Sequence, residues 1–567
     1  MRSRPKVLVL DAETSAALAV VQSLGRLGAE IHTLAKSRST SDFSRYVTRR
    51  IPAQQHLEPV AYGALIQSLQ EREKYELIVP ASEISLRALQ ALGPSHELRA
   101  TAVLPSHQSV EIALDKIRTR TLAERLGVPT PQARILQRDG SDPPQATYPV
   151  VLKPERSQFL VDGTYHYAQP AVVRDSATRE RALEEWLPRC AVEEQDFIPG
   201  RGWGVNCLYR SGRLVWHFTH ERLHELPLTG GASCYRRSAR PSNTLLDAAR
   251  TLLDALEWHG VAMVEFRVDE ESDRFTLMEI NPRLWGSLPV AVRSGVDFPR
   301  GLLSLAQGSE FSHEQPAYRI GYRMRVVPKD LEWIRENWTA DREDPLLLTG
   351  SRKLSLFEWI LPILRVEGWD HFSWRDPGPG LALITDLTRR FVSAIRKRLS
   401  SRWRQAQLRR LHTRNLKRWL RFRTSTSRVN FVCYGNICRS PLAENVARAA
   451  HSEWSVTSTG LHATPGRQTP PRIVRAAMGA SADLAPHRAR LISGSDVEQA
   501  DLLVVMDPTN LTELLKRFPS AREKVILLGL AADPPVMTVP DPISLSEEGI
   551  LDSVTLVRDA VTRLASI

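Results

Sequence analysis

The chain has 567 residues, 76 Lys+Arg against 64 Asp+Glu, and a formal charge of +12. At about 100–200 residues per domain this is three or four domains rather than one core. With 42% hydrophobic and 25% charged residues it is neither mostly disordered nor fibrous, and no run of 18 apolar residues offers an ordinary transmembrane helix. The positive charge is local. Residues 389–428 carry 15 Lys/Arg and no Asp/Glu, leaving −3 for the remainder, so a general nucleic-acid affinity is not expected.

From the N-terminus, V-L-V-L at 7–10 reads as a buried strand and 16–27 as a helix. L-I-V-P at 77–80 and A-V-L-P at 102–105 read as later strands, and the alternation with helices predicts a parallel α/β sheet. Asp11 interrupts the first apolar run too early for a signal peptide. Five cysteines are too few for a disulfide scaffold, which points to the reducing cytoplasm.

A second group of residues is spread over 106–310. Lys116 opens a helix that ends near G-V-P-T-P at 127–131, and Lys153 ends the strand Y-P-V-V-L-K-P. A-V-E-E-Q-D-F-I-P-G at 191–200 is a strand breaking into a turn. V-E-F at 264–266 and M-E-I-N-P-R at 278–283 are predicted to be adjacent antiparallel strands that bring Glu265, Glu279 and Asn281 to one face. Hard oxygen donors clustered so suit Mg²⁺ bridging nucleotide phosphates, with the two lysines supplying point charges.

These motifs resemble the ATP-grasp superfamily, in its carboxylate–amine ligase branch related to carbamoyl-phosphate synthase and biotin carboxylase. The resemblance implies a Rossmann-like subdomain (1–105), then an α+β ATP-grasp domain (106–310). It makes Lys116 and Lys153 the ATP-phosphate lysines. It places adenine and ribose on the hinge from Glu193 to Ile198, with Glu193, Glu194 or Asp196 as the ribose carboxylate. Glu265, Glu279 and Asn281 become metal ligands, and Arg283 faces an acyl phosphate. The implied reaction joins a small carboxylic acid to an amine, using ATP and Mg²⁺. The loop after Lys153, E-R-S-Q-F-L-V-D-G-T, has one glycine where many relatives have a glycine-rich lid. That departure leaves open a half that only senses a nucleotide or metabolite.

Residues 311–385 are rich in Trp and Pro and are expected to be an accessory extension on the first half. Residues 386–428 form a basic helical linker. Leu387, Phe391, Ile395, Leu399 and Trp403 recur every four residues, followed by Leu408, Leu411, Leu416, Trp419, Leu420 and Phe422. Such a stripe with an Arg-rich opposite face can pack on a domain, lie on an anionic membrane, or hold another polyanion.

The last segment, 429–567, holds the sharpest motif, C-Y-G-N-I-C-R-S-P at 433–441, after an apolar strand and before a helical run. A strand-to-helix loop aims backbone N–H groups at one point, where the helix N-terminus adds positive potential. Gly435 is expected to make the tight turn, Ser440 the N-cap and Pro441 the first helical position. Cys433 then reads as a thiolate nucleophile at the base of an anion cradle, Arg439 as a fork onto phosphate oxygens, and Asp541 in V-P-D-P-I as the acid for the leaving oxygen.

With S-T-G at 458–460, P-H-R-A-R at 486–490, A-D-L-L-V-V-M-D at 500–507 and D-P at 541–542, this segment resembles the low-molecular-weight protein tyrosine phosphatases. The resemblance implies a small parallel α/β sheet, no cofactor, and hydrolysis of a phosphoprotein or small phosphomonoester through phosphocysteine. Cys433, Arg439 and Asp541 are then catalytic. Asn436, Ser440, Ser458 and His487 shape the loop, and Cys438 is a redox partner of Cys433. Ile543 stands where the family usually has an aromatic. An arsenate-reductase relative shares this loop but normally needs a further thiol, and no cysteine follows Cys438. The expected whole is a bifunctional cytoplasmic enzyme, peripheral to a membrane if the basic segment docks there.

Overall fold

The computed structural model describes residues 4–53, 58–136, 147–161, 164–269, 272, 274–309, 314–359, 367–424 and 426–566. It divides into two units, residues 1–389 and 390–567.

The first unit opens with β1 (Lys6–Leu10), α1 (Ser15–Arg26), β2 (Glu30–Ala35), β3 (Val47–Pro52), α2 (Pro59–Glu73), β4 (Leu77–Pro80) and α3 (Glu83–Ala91). The strands form a parallel sheet in the order β3-β2-β1-β4. Apolar runs are needed because both faces are covered. Val7 and Val9 enter the core shared with α1, while Leu8 and Leu10 enter the core under α2 and α3. Thr14 caps α1 by accepting from the Ala17 N–H at 3.1 Å.

The expected strand at 102–105 is not one. Short α4 (Leu98–Thr101) runs into it, and Val103 adopts φ +53°. The Leu104 N–H returns to the Arg99 carbonyl at 3.0 Å, so the apolar run closes a helix end.

Next come α5 (His107–Leu114), α6 (Lys116–Arg125), β5 (Ala133–Ile135), β6 (Val150–Pro154), the hairpin β7 (Gln158–Val161) and β8 (Thr164–Tyr167), then β9 (Ala171–Val173), α7 (Ser176–Trp186) and β10 (Val192–Asp196). A four-stranded antiparallel sheet runs β5-β10-β6-β9. In the loop of interest after Lys153, residues 162 and 163 lie outside the described residues.

The larger sheet is built from β11 (Arg201–Arg210), β12 (Arg213–Leu226), β13 (Ala232–Ala239), β14 (Gly260–Asp269) and β15 (Arg274–Asn281). Helices α8 (Asn243–Ala255), α9 (Leu288–Ser294) and α10 (Phe298–Ala306) accompany it. The accessory segment extends this sheet with β16 (Arg323–Arg325) and β17 (Glu367–Trp369), and adds α11 (Val327–Thr339) and α12 (Arg352–Phe357). The order is β15-β14-β11-β12-β13-β16-β17. Buried Arg325 bonds Asp330 and Glu367, and buried Arg236 bonds Asp370, so polar as well as aromatic side chains fasten the extension.

Helix α13 (Gly378–Phe422) is 45 residues long, and the boundary between the units falls inside it. The second unit continues with β18 (Arg428–Cys433), α14 (Arg439–Ala450), β19 (Ser455–Gly460), α15 (Pro471–Met478), α16 (Gly494–Gln499), β20 (Leu502–Val505), α17 (Pro508–Arg517), β21 (Val525–Leu527) and α18 (Glu547–Ser566). All four strands are parallel, ordered β19-β18-β20-β21. Strand β18 again divides its residues by parity: Val429, Phe431 and Cys433 face one core, Val432 the other.

The apolar stripe of α13 has two fates. Its C-terminal half belongs to the second unit: Trp419 is buried beside Trp454, and Leu408, Leu411, Leu416 and Leu420 pack on the cores. Buried Asn415 donates to the Arg522 and Val525 carbonyls at 2.9 and 2.8 Å, and His412 Nδ1 accepts from the Leu527 N–H at 3.3 Å. The helix thus covers the free edge of β21. Phe391, Ile395 and Trp403 are exposed instead, and Phe422 beyond the packed stretch is exposed too.

Candidate active sites

In the second unit, β18 ends at Cys433 and the chain turns through residues 434–438 into α14. The left-handed position is Asn436, at φ +51°, rather than Gly435. An asparagine tolerates that backbone when its side chain bonds locally. Here Asn436 Nδ2 donates to Ser440 Oγ at 3.0 Å and Ser458 Oγ at 2.9 Å, and Oδ1 accepts from the Arg490 N–H at 2.7 Å. His487 Nε2 lies 2.8 Å from the Asn436 carbonyl oxygen. The four loop-shaping residues inferred from sequence therefore form one network. Glu444 extends it by accepting from Ser458 Oγ at 2.5 Å. Gly460 is required where the strands meet the loop, because a Cβ there would lie 2.8 Å from the Asn436 nitrogen.

Cys433 is 3% exposed. Its sulfur accepts from the Asn436 N–H at 3.1 Å and the Ser440 hydroxyl at 3.0 Å. Helix α14 begins at Arg439, with Cys438 at the N-cap, so Ser440 and Pro441 sit two positions deeper than expected. The Ser440 hydroxyl serves the sulfur and lies 3.3 Å from the Thr459 carbonyl, instead of capping the helix.

Arg439 is 5% exposed. It donates to Asp507 Oδ2 at 3.0 Å, the Val539 carbonyl at 3.1 Å and Asp541 Oδ2 at 2.6 Å. Asp507, which also caps α17, was not singled out as a site residue in the sequence. Burial, aided by Asp541 and Cys433, pushes the Cys438 thiol up to about 12. Tyr434, half exposed at the rim, stacks on His462 with ring centroids 4.5 Å apart, and Ile543 is exposed.

A family model described as low molecular weight phosphotyrosine protein phosphatase matches residues 428–566. The Escherichia coli low molecular weight protein-tyrosine-phosphatase Wzb is 34% identical over 134 residues, 24% of this chain and 90% of Wzb. The chain belongs to the low molecular weight phosphotyrosine protein phosphatase family. A probable phosphatase of this family from Ralstonia nicotianae, EpsP, is 39% identical over 98 residues, 17% of this chain and 68% of EpsP. The network around Cys433 thus lies within a phosphatase domain.

Ahead of the phosphatase domain, the first unit encloses a cavity of about 1050 Å³. Lys116, Lys153, Asp196, Ile198, Glu265, Glu279, Asn281 and Arg283 all line it. Asp115 caps α6 by accepting from the Arg118 N–H at 3.0 Å, which sets Lys116 at the helix start. The Lys116 N–H bonds the Glu155 carbonyl at 2.8 Å, and its Nζ donates to Ser157 at 2.9 Å. Lys153 is 8% exposed. Burial pushes it down to about 8, against the pull of Glu279.

Glu265 and Glu279 are cross-strand partners on β14 and β15, and Asn281 Nδ2 donates to both, at 3.1 and 2.9 Å. Burial and the neighbouring Glu279 raise Glu265, in spite of its ion pair with Arg222. Burial also opposes ionisation of Glu279, but Lys116, the Asn281 amide, Lys153 and Arg283 together hold it below the usual carboxylate range.

The three hinge acids separate. Asp196 faces the cavity. Glu193 is fully buried, paired with Arg120 and accepting from Gln195 at 2.6 Å. Glu194 is clamped by Arg134 and Arg179.

Arg222 and Ser287 also line the cavity. Asn206 Nδ2 donates to the Phe218 carbonyl at 3.0 Å and lies 3.1 Å from His220 Nδ1, making that nitrogen the acceptor. Burial, then Arg222 and Arg236, hold His220 well below its usual range. Its Nε2–H therefore donates to Ser287 Oγ at 2.9 Å, leaving the hydroxyl proton to point elsewhere. Gly204 makes room, since a Cβ there would stand 2.3 Å from His220 Cε1. No spacing rule connects positions 204, 206, 220 and 287 in the sequence.

A family model described as ATP-grasp in the biosynthetic pathway with Ter operon matches residues 195–329, in the unit that precedes the phosphatase domain. The L-amino acid ligase from Bacillus licheniformis is 15% identical with a TM-score of 0.43, over 57% of this chain and 79% of that one. Among the described residues, no group of three His, Cys, Asp or Glu is placed to hold a metal ion, and no helix is long and apolar enough to cross a membrane.

Proposed function

We propose that the phosphatase domain hydrolyses phosphotyrosine in proteins, and that the ATP-grasp domain joins a carboxylic acid to an amine at the cost of ATP. The first half of this reading is carried by the convergence of two donors on the Cys433 sulfur beside the Arg439 fork. Those donors fix the sulfur at the base of the loop. The sulfur attacks phosphorus, the P–O bond to the leaving group breaks, and Asp541 delivers its proton to that oxygen. Arg439 holds two non-bridging oxygens throughout. Asp541, now ionised, takes a proton from water as that water cleaves the S–P bond, releasing phosphate. The named activity of Wzb and EpsP supports tyrosine as the phosphorylated side chain. Tyr434 supplies an aromatic wall at the rim, where Ile543 does not.

The second half rests on one cavity holding the lysines, the carboxylate pair and Arg283 together. Lys116 and Lys153 bind ATP phosphates, Asp196 the ribose and Ile198 the adenine edge. Glu265, Glu279 and Asn281 would hold Mg²⁺ through their carboxylate and amide oxygens, the hard donors that ion takes. Bound there, the ion supplies charge neutralisation to the phosphates. Arg283 orients the acyl phosphate for the amine, and His220 presents Ser287 to the acid. Apart from either activity, residues 389–428 are proposed to dock on an anionic membrane surface.

Cys433→Ser is expected to abolish phosphomonoester hydrolysis while ATP turnover with a pooled set of acids and amines survives. Glu279→Ala is expected to do the reverse. Equal loss of both activities in each variant overturns the two-site reading.

A further inference from the structure

The two halves of α13 turn different faces to their surroundings. At about 100° per residue, Phe391, Val392, Ile395 and Trp403 fall within about 120° of one another. They are 66%, 41%, 39% and 66% exposed. The face that packs on the phosphatase domain, marked by Leu408, His412, Asn415 and Trp419, lies about 150° further round the helix. Leu416 and Leu420, which also pack on that domain, come round to the edge of the bare arc, so the two stripes differ in their centres and meet at one margin.

Arg389, Arg396 and Arg404 occupy the remaining circumference, and Arg402 within the arc has a stem long enough to reach past its edge. An apolar arc of this width, held in water and rimmed by arginine without one acidic residue, calls for a covering surface that is apolar below and anionic above. A second copy of the helix would bring two strongly basic segments together. Nucleic acid would satisfy the arginines but leave Phe391 and Trp403 in water.

We infer that residues 391–403 of α13 lie in the interface of an anionic lipid bilayer, with Phe391, Val392, Ile395 and Trp403 entering the acyl boundary and the flanking arginines on the headgroups. This rests on the reading of residues 389–428 as a docking segment and specifies which half and which face do the docking. The inserted side chains are not the ones that hold the phosphatase domain. Lipid binding and phosphatase folding therefore do not compete for the same side chains.

The test is cosedimentation of the full chain with phosphatidylcholine vesicles and with phosphatidylserine-rich vesicles. Binding is expected only to the latter, falling as salt rises. In Phe391→Gln/Trp403→Gln, which keeps every arginine, the partition coefficient is expected to fall at least about tenfold. Its thermal midpoint should be unchanged, because neither side chain is in a core. No binding to phosphatidylserine-rich vesicles at low salt overturns the docking reading altogether. Vesicle binding undiminished in the double variant overturns insertion of this face. Equally tight binding of the parent and the double variant to single-stranded RNA, with weaker vesicle binding, assigns the segment to nucleic acid instead.

Discussion

The guanidinium of Arg439 donates to Asp541 Oδ2 at 2.6 Å, so the arginine proposed to bind phosphate and the acid proposed to serve the leaving group hold each other. Asp507 occupies another donor of the same fork at 3.0 Å. An arriving phosphate must take over part of a fork already shared by two carboxyl groups. Asp541→Asn is expected to lower kcat by about 10²–10⁴. It should also tighten inhibition by inorganic phosphate several-fold. Steady-state kinetics with p-nitrophenyl phosphate measures both, and looser phosphate binding in the variant contradicts the shared-fork account.

Asn436 combines φ +51° with three side-chain hydrogen bonds. Asn436→Ala keeps neither advantage: it loses about 1 kcal/mol per hydrogen bond and incurs about 1–2 kcal/mol of left-handed strain. Asn436→Gly relieves the strain alone. Both variants are expected to lose kcat, but denaturant melts should show glycine the more stable by about 1 kcal/mol.

Lys153 gives the ATP-grasp domain a pH signature. In the empty site it is pushed down to about 8 by burial. Below that pH it is protonated and pairs with a phosphate; above it the neutral amine does not. ATP affinity should fall about tenfold between pH 7 and pH 9, as the competent fraction falls. Binding near pH 8 should take up a proton. Calorimetry in buffers of different ionisation heat reads the uptake, and a flat affinity profile with no proton uptake excludes Lys153 as a phosphate ligand.

Gly204→Ala places a Cβ against His220, 2.3 Å from Cε1. Overpacking of this kind costs about 1–3 kcal/mol. If His220 presents Ser287 to the acid, the variant should also raise KM for the acid more than KM for ATP.

The linker half that covers β21 should behave as part of the phosphatase domain. Trp419→Ala is expected to cost about 3–5 kcal/mol in that domain's melt. His412, depressed to about 4 by burial, accepts from the Leu527 N–H and must stay neutral to do so. Its contribution is complete above the unfolded value near 6.5 and is lost as the pH falls towards 4. His412→Gln should flatten that part of the acid-denaturation curve.

The phosphatase loop was nearly all legible because its chemistry is local: Cys433, Arg439 and Ser440 lie within one strand-to-helix turn. Only short-range details shifted there, the left-handed residue moving from Gly435 to Asn436 and the helix start moving before Ser440. The strand at 102–105 failed for a different reason. Four apolar residues do not distinguish a strand from a helix end, and Val103 takes the left-handed conformation that decides it.

Spacing also placed Glu265 opposite Glu279, because two short strands joined by a polar turn pair in only a few registers. What order and composition could determine was the kind of domain at the C-terminal end, the grouping of Cys433, Arg439 and Asp541, and the location of the positive charge. Tertiary structure decided the choices between chemically equal neighbours. Glu193 and Glu194 resemble Asp196 in kind and lie near it in sequence, yet Arg120, Arg134 and Arg179 arrive from elsewhere to pair with them, while Asp196 lines the cavity. It decided likewise that one helix with one apolar stripe should bury Trp419 and leave Trp403 bare. Periodicity records where apolar side chains recur, whereas burial depends on which surface of the fold comes to meet them.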